Sequence, residues 1–144
     1  MGVFDWLKKS KKINESDSFP NLVNSLLSLQ LAPSHPNVRE AFSTIMVNKF
    51  ARGYVFGFHD AMLQRFGLVD RTNPGKGLDL MEASYKYIFG DQTGHMLFTS
   101  SLYSQDEASF NKGRTSGAED CVNFVERRIP PMGLSRILIF GLEE

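Results

Sequence analysis

Residues 50–60 read Phe-Ala-Arg-Gly-Tyr-Val-Phe-Gly-Phe-His-Asp, and this stretch indicates how the chain folds. Its pattern, Phe-x-x-Gly-x-x-x-Gly-x-x-Asp, recurs at residues 110–120, sixty positions further along the sequence. A glycine inside a helix costs about 1 kcal/mol relative to alanine, so two glycines in one helix need a compensating contact. Residues three or four positions apart share one face of a helix. Each stretch therefore predicts a helix with a shallow groove on one face, where a second backbone can pack closely.

The predicted helix-packing positions are the phenylalanine and the two glycines of each stretch, namely Phe50, Gly53, Gly57, Phe110, Gly113 and Gly117. Glycine pairs with this spacing are best known from membrane helices. However, polar residues such as Asn48, Lys49 and Arg52 interrupt any apolar run of the roughly 20 residues that a membrane span requires. We therefore expect close helix packing and no stable membrane insertion.

The recurrence of the pattern has two interpretations. Residues 18–67 and 78–128 are repeat units, each a helical hairpin, or the four identities in eleven positions arose by chance. His35 and His95 also lie sixty positions apart, which favours the first interpretation. A glycine-faced helix is expected at each place under both.

The composition is that of one ordinary globular domain. The chain has 144 residues, which is enough to bury a substantial core. Its 16 Lys and Arg balance its 16 Asp and Glu, so no net charge favours nucleic acid as a partner. The single cysteine, Cys121, excludes an internal disulfide framework and suits a reducing compartment. Because no apolar core of a secretory signal follows the basic start, we expect a cytoplasmic location.

Residues 1–17 read as a basic amphipathic N-terminal segment and linker. Val3, Trp6 and Leu7 can share a helical face, and residues 8–12 include four lysines. Such a segment is either a weak docking helix for a membrane surface or a partner, or a frayed terminus that packs loosely on the domain.

Residues 18–144 predict a single all-α domain, a compact bundle of about five or six helices. Apolar periodicity, proline in the first turn and glycine or proline at the ends indicate helices at 18–32, 34–66, 78–89, 95–104 and 105–128. The second helix is expected to bend near Arg52-Gly53, and Gly67 is expected to cap it. The apolar run at 134–142 is too short for periodicity to distinguish helix from strand, and we favour a terminal helix because no other strand is indicated.

Four residues in the chain could carry metal chemistry. His35, His59, Asp60 and Asp120 occur in the order His…His-Asp…Asp. This order resembles the metal-ligand pattern of the HD superfamily of all-helical phosphohydrolases. The resemblance implies a divalent metal held by these four side chains, which would activate a water for attack on phosphate. It covers four residues only, and the helix continues through residues 61–64, where the family usually has a turn after the doublet.

A structural interpretation of the same residues competes with this resemblance. Asp60 and Asp120 each follow a helix-packing face, so each can cap a neighbouring helix or pair with an arginine. His59, on an otherwise aromatic helix, is then a hydrogen-bonded residue of the core.

The sequence therefore favours a non-enzymatic cytoplasmic binding or interaction module, without a cofactor, that binds a protein partner or self-associates as a homodimer. The first alternative is a metal-dependent phosphohydrolase that uses His35, His59, Asp60 and Asp120. The second alternative is a small-ligand-binding helical domain, whose pocket between the hairpins would be lined by Tyr54, Phe56 and Phe58.

Overall fold

The expected all-α bundle is confirmed. A computed structural model describes residues 15–33 and 35–140, which form seven helices and no strand: α1 (Glu15–Leu31), α2 (Val38–Ile45), α3 (Lys49–Arg65), α4 (Pro74–Phe89), α5 (Asp91–Tyr103), α6 (Ala108–Arg127) and α7 (Gly133–Phe140). The predicted amphipathic segment at residues 1–12 lies outside the described residues.

The centre of the fold is the pair α3 and α6, the two helices that carry the repeated glycine pattern. Each of the four glycines lies directly on the backbone of the other helix: Gly53 on Phe110, Gly113 on Phe50, Gly57 on Arg114 and Gly117 on Tyr54. Residue numbers rise together on both helices, so α3 and α6 run parallel. The contacts are also reciprocal, because each pairing recurs with the two helices exchanged.

The glycines are required for this approach. A Cβ atom built on any of the four would lie under 3.0 Å from a backbone carbonyl oxygen of the opposite helix, a distance that real Cβ atoms essentially never show. The cost of glycine in a helix is thus offset by close backbone contact along the whole helix pair.

The core is formed around α3. Between Ala51 and Leu63, only Arg52 and Asp60 are even partly exposed. The other helices surround the central pair: α1 lies against α4, α5 lies against α4, and α7 contacts α1, α2, α3 and α6. Gly94 lets α5 approach α4 closely, since a Cβ there would lie 2.5 Å from the Tyr85 carbonyl oxygen. In the part of the chain that the structure describes, no helix combines the length and the apolar character needed to cross a bilayer.

The long second helix predicted for residues 34–66 is two helices. The chain breaks at residues 46–48, and not at Arg52-Gly53, because Asn48 caps a new helix there, and Asn37 likewise caps the start of α2. The side chain of Asn37 accepts a hydrogen bond from Glu40 N, and that of Asn48 accepts one from Ala51 N. Gly67 follows α3 with φ +67°, as its predicted capping role requires.

Other helix ends also differ from the prediction. α1 already includes residues 15–17, which were expected to be linker. α4 begins at Pro74 and not near residue 78, because proline fits the first turn of a helix. α5 begins at Asp91 directly after Gly90, whose φ of +94° reverses the chain in one residue.

The fifth predicted helix and the apolar run near the C-terminus are both helices, as expected. α6 begins at Ala108, three residues later than predicted, after an irregular segment at residues 104–107. The apolar run near the C-terminus is a helix, α7, and residues 141–142 of the predicted segment lie outside the described residues. Residues 18–67 and 78–128 thus contain three helices each, and their origin by duplication stays a prediction.

A candidate binding groove

An apolar groove of about 510 Å³ lies between α1, α7 and the segment that joins α6 to α7. Ten residues line it, eight of them apolar: Leu26, Leu29, Pro33, Phe124, Pro130, Pro131, Met132 and Ile139, with Gln30 and Ser135 as the polar members. Apolar concavities with a few placed polar groups are typical of binding sites.

The wall of the groove depends on how α6 ends. Arg128 terminates α6 in the left-handed conformation, with φ +57°. The amides of Arg128 and Ile129 donate to the carbonyls of Phe124 and Asn123, so the chain reverses within two residues. The following Pro130-Pro131 cannot continue a helix, and these two prolines form one side of the groove.

Asp120 holds the N-terminus of α7 in place. Its carboxylate accepts hydrogen bonds from Gly133 N at 3.0 Å and from Met132 N at 3.3 Å, at the N-terminus of α7. A carboxylate at this position satisfies free amide donors and interacts favourably with the helix dipole. The Tyr54 hydroxyl donates to the same carboxylate at 2.6 Å, and this ties α3, α6 and α7 together. Burial, followed by the negative charge of Asp120, raises the pKa of Tyr54 well above its usual value.

Gln30 forms the polar floor of the groove. It is buried, with 3% of its surface exposed, and its Oε1 accepts a hydrogen bond from Leu134 N at 2.9 Å. Its backbone carbonyl accepts from the hydroxyl of Ser135. Gln30 therefore fixes the first turn of α7 against the end of α1.

The amide nitrogen of Gln30 has no acceptor among the described residues. Rotating the amide would not relieve this, because Nε2 would then face the N–H of Leu134, a second donor. The Tyr54 hydroxyl lies 3.2 Å from Oε1, but its one proton is drawn to the nearer, charged Asp120. Gln30 Nε2 is therefore a buried donor without a partner, and such a donor costs about 1–3 kcal/mol.

The rim of the groove exposes large apolar side chains. Three of the lining residues are exposed, Leu29 by 67%, Met132 by 48% and Ile139 by 57%. Phe140, the next residue of α7, is 70% exposed, and we call these four residues the apolar face. Scattered exposed apolar residues are ordinary, but a contiguous set around a groove marks an interaction surface. Residues 127–140 include three basic residues, and all three are exposed: Arg127, Arg128 and Arg136.

The four residues of the HD-like pattern have separate environments. His35 Nδ1 accepts from Asn37 N near the start of α2, and Asp60 accepts from Gln64 on its own helix. Asp120 faces α7, whereas His59 faces α4 through Ser84. Across residues 15–33 and 35–140, no three His, Cys, Asp or Glu side chains are grouped so that they could hold one metal ion. The geometry therefore does not assemble the predicted metal site, because the helices direct these side chains to different neighbours.

His59 and Ser84 form a buried pair that the sequence did not indicate. His59 Nδ1 lies 2.8 Å from the Val55 carbonyl and must donate to it, so Nε2 accepts from the Ser84 hydroxyl at 2.7 Å. A serine bonded to a histidine is the start of a nucleophilic site. However, neither side chain is exposed to any extent, and burial lowers the pKa of His59 to about 4. The pair is a satisfied core contact between α3 and α4.

The predicted aromatic pocket is part of the core. Tyr54 stacks on Phe58, and Phe56 packs against Phe110 on α6. Phe56 is 6% exposed, while Tyr54 and Phe58 are fully buried, so these rings pack between α3 and its neighbours, and none of them lines the groove. Cys121 is likewise buried, which raises the pKa of its thiol to about 12.

No protein-family model, no curated protein sequence and no solved structure matches this chain. The function must therefore be argued from the groove and its surroundings.

Proposed function

We propose that the protein is a non-enzymatic binding module of the cytoplasm, and that the groove between α1 and α7 is its binding surface for an apolar segment of a protein. The observation that carries this proposal is the apolar face itself. Leu29, Met132 and Ile139, which are 48–67% exposed, line a concavity formed mainly by apolar residues, and the 70% exposed Phe140 follows Ile139 at the end of α7. Covering them releases water from apolar surface, which is the main favourable term in protein association.

The polar groups of the groove are compatible with a peptide ligand. Gln30 and Ser135, the two polar residues of the lining, hold α7 against α1 by their hydrogen bonds, so the surface that the groove offers a ligand is mainly apolar. The buried single cysteine, Cys121, is the support for a reducing compartment.

The groove can be tested with the dye 1-anilinonaphthalene-8-sulfonate, whose emission rises in apolar sites. At a protein concentration of a few micromolar, we expect saturable binding of one dye per chain. Leu29→Asp places a charge on the apolar face and should weaken dye binding about tenfold or more. Val47→Asp is the matched control, because Val47 is a 75% exposed aliphatic residue between α2 and α3.

Near-ultraviolet circular dichroism must stay unchanged in both variants, since partly unfolded chains also bind this dye. Equal dye binding by the wild type and Leu29→Asp, with native spectra in both, would refute the groove as the binding surface.

A further inference from the structure

We propose that the occupant of the groove is an acidic, apolar segment of a partner protein, in which Asp or Glu side chains stand between apolar anchors. This inference rests on the proposed function, because it uses the same groove. It adds the chemistry of the partner, which the positive charge around the groove selects.

One arginine lies within the apolar face itself. Arg136 is exposed and follows Met132 by four residues, and its amide donates to the Met132 carbonyl at 3.0 Å, as in a regular helical turn. Ile139 and Phe140 come three and four residues after Arg136. Residues three or four positions apart share one side of a helix, so Arg136 lies between exposed apolar side chains and not beyond their edge.

Further positive charge lies where α6 ends beside the groove. Arg127 follows Phe124, a lining residue, by three positions, so the two share one side of α6. Arg127 and Arg128 are both exposed, and the nearby Pro130 and Pro131 line the groove. The groove is therefore flanked by positive charge at the end of α6 and along α7.

Arg127 and Arg136 have no carboxylate partner in the part of the chain that the structure describes. The ion pairs of the described residues lie elsewhere, and Glu126, next to Arg127 in the sequence, pairs with Arg65. The ten lining residues include no acidic one. Because the chain as a whole has 16 basic and 16 acidic residues, this region is a local excess of positive charge on a neutral protein.

The apolar lining and the charge together select the chemistry of the partner. A guanidinium binds a carboxylate through two parallel hydrogen bonds, and this contact is stronger where apolar surface excludes water. A wholly apolar segment would cover Arg136 without giving it a partner, and a covered, unpaired charge is costly. A basic segment would add repulsion. Only a segment with carboxylates among its apolar side chains satisfies both features of the surface.

The shape of the site favours a protein segment over a membrane surface. The groove has a volume of about 510 Å³, and Leu26 lines it although only 4% of this residue is exposed. Such a position is reached only by a side chain that enters the groove. The broad surface of a bilayer would meet the protruding Leu29 and Phe140 first and would leave the groove unfilled.

The first experiment compares two synthetic peptides that differ only in charge. Both are amphipathic helices of about 16 residues with leucine along one side, and the remaining positions are glutamate in one peptide and lysine in the other. Binding of each labelled peptide to the full-length protein is measured by fluorescence anisotropy at about 50 mM salt. We expect the acidic peptide to bind about tenfold more tightly or better, and its affinity to fall about threefold or more at about 500 mM salt.

Charge reversal at one arginine tests the role of the apolar face. Arg136→Glu should weaken binding of the acidic peptide about fivefold or more and strengthen binding of the basic peptide. Arg71→Glu is the matched control, because Arg71 is exposed between α3 and α4 and its reversal changes the net charge by the same amount. This control should leave both affinities unchanged. Equal effects of the two variants, with native near-ultraviolet circular dichroism in both, would overturn the proposal.

The uncharged dye Nile red separates failure of this inference from failure of the proposed function. If the two peptides bind equally and Leu29→Asp weakens both, the groove binds apolar segments without regard to charge, and only the acidic partner is refuted. If the acidic peptide does not bind but Nile red binds and Leu29→Asp weakens it, the acidic partner is again refuted while the apolar groove stands. If neither peptide nor the dye binds, both proposals are refuted.

Two other occupants are outcomes of the same measurements. If neither peptide binds, but vesicles with about 30% phosphatidylserine bind the wild type and not Arg136→Glu, the surface binds an anionic membrane. If the protein alone sediments as a dimer that Phe140→Asp dissociates, a second copy covers the groove. Either result would overturn the proposed partner.

Discussion

The contact between α3 and α6 makes a quantitative prediction about its glycines. Replacing Gly117 by alanine adds one methyl group, which in an open helix would stabilise the protein by up to about 1 kcal/mol. At this position, however, the new Cβ would lie under 3.0 Å from the Tyr54 carbonyl, and ordinary contacts begin at 3.4 Å. The two helices must therefore separate, and a gap of about 0.5–1 Å already removes a quarter to a half of each dispersion contact.

We expect the cost of separation to exceed the gain in helix propensity. Overpacking by one methyl group costs roughly 1–3 kcal/mol beyond that gain, so Gly117→Ala should lower the melting temperature by about 3–10 °C. Gly57→Ala should behave in the same way, because the two contacts are reciprocal. Leucine at Gly57 or Gly117 should destabilise the fold by several kcal/mol.

The control is Gly77→Ala. Gly77 lies in α4, and a Cβ there would meet nothing within 4 Å, so this variant should be as stable as the wild type or more stable. The assay is urea and thermal denaturation followed by circular dichroism. A second test combines Gly53→Ala with Gly113→Ala, for which the loss should be smaller than the sum of the single losses, since the first substitution already separates the helices. If Gly57→Ala and Gly117→Ala match or exceed the stability of Gly77→Ala, the argument for close packing fails.

Two further predictions concern His59, which is buried, and Asp120, which is half-buried. His59 has its pKa lowered to about 4 by burial, so the unfolded chain binds a proton that the folded chain does not between pH 6.5 and about 4. The contribution of His59 to the free energy of unfolding should be complete above pH 6.5 and should have fallen by about 2 kcal/mol at pH 5. Urea denaturation of His59→Gln should not show this fall. If the fall persists in the variant, another group causes it. Asp120→Ala should destabilise by about 2 kcal/mol and speed amide hydrogen exchange in α7, because two backbone donors lose their acceptor and the Tyr54 hydroxyl loses the nearer of its two acceptors. Asp60→Ala is the matched control and should change stability by less than about 0.5 kcal/mol; equal effects of the two would show that Asp120 does not hold α7.

Local sequence signals were sufficient for most of the fold. Apolar residues three or four positions apart, proline in first turns and glycine at helix ends indicated the helices, and two glycines on one face indicated close packing. The break at residues 46–48 was expected at Arg52-Gly53, because the apolar face of the predicted helix does not persist cleanly there, although Asn48 was a visible capping signal.

The groove could not be read from the sequence, because it depends on contacts over long distances along the chain. Leu26 and Ile139 line the same cavity from the first and last helices. Gln30, a polar residue at a buried position of an apolar helix, was the one local sign of a site there. The different roles of Asp60 and Asp120 could not be predicted for the same reason. Both occupy the last position of the repeated pattern, but only Asp120 has the start of another helix beside it.

The parallel pairing of α3 and α6 also has a consequence for the kinetics of folding. Neither glycine face has a partner within its own half of the chain, so the central contact joins residues about sixty positions apart. Closing so long a loop costs conformational entropy before any of the close contacts are gained. Helical proteins usually fold fast because their contacts are local, and this chain lacks that advantage at its centre. The two halves of the chain must therefore come together before the core around α3 and α6 can form. We expect folding to be cooperative across the whole domain and slower than in a bundle of consecutive helical hairpins.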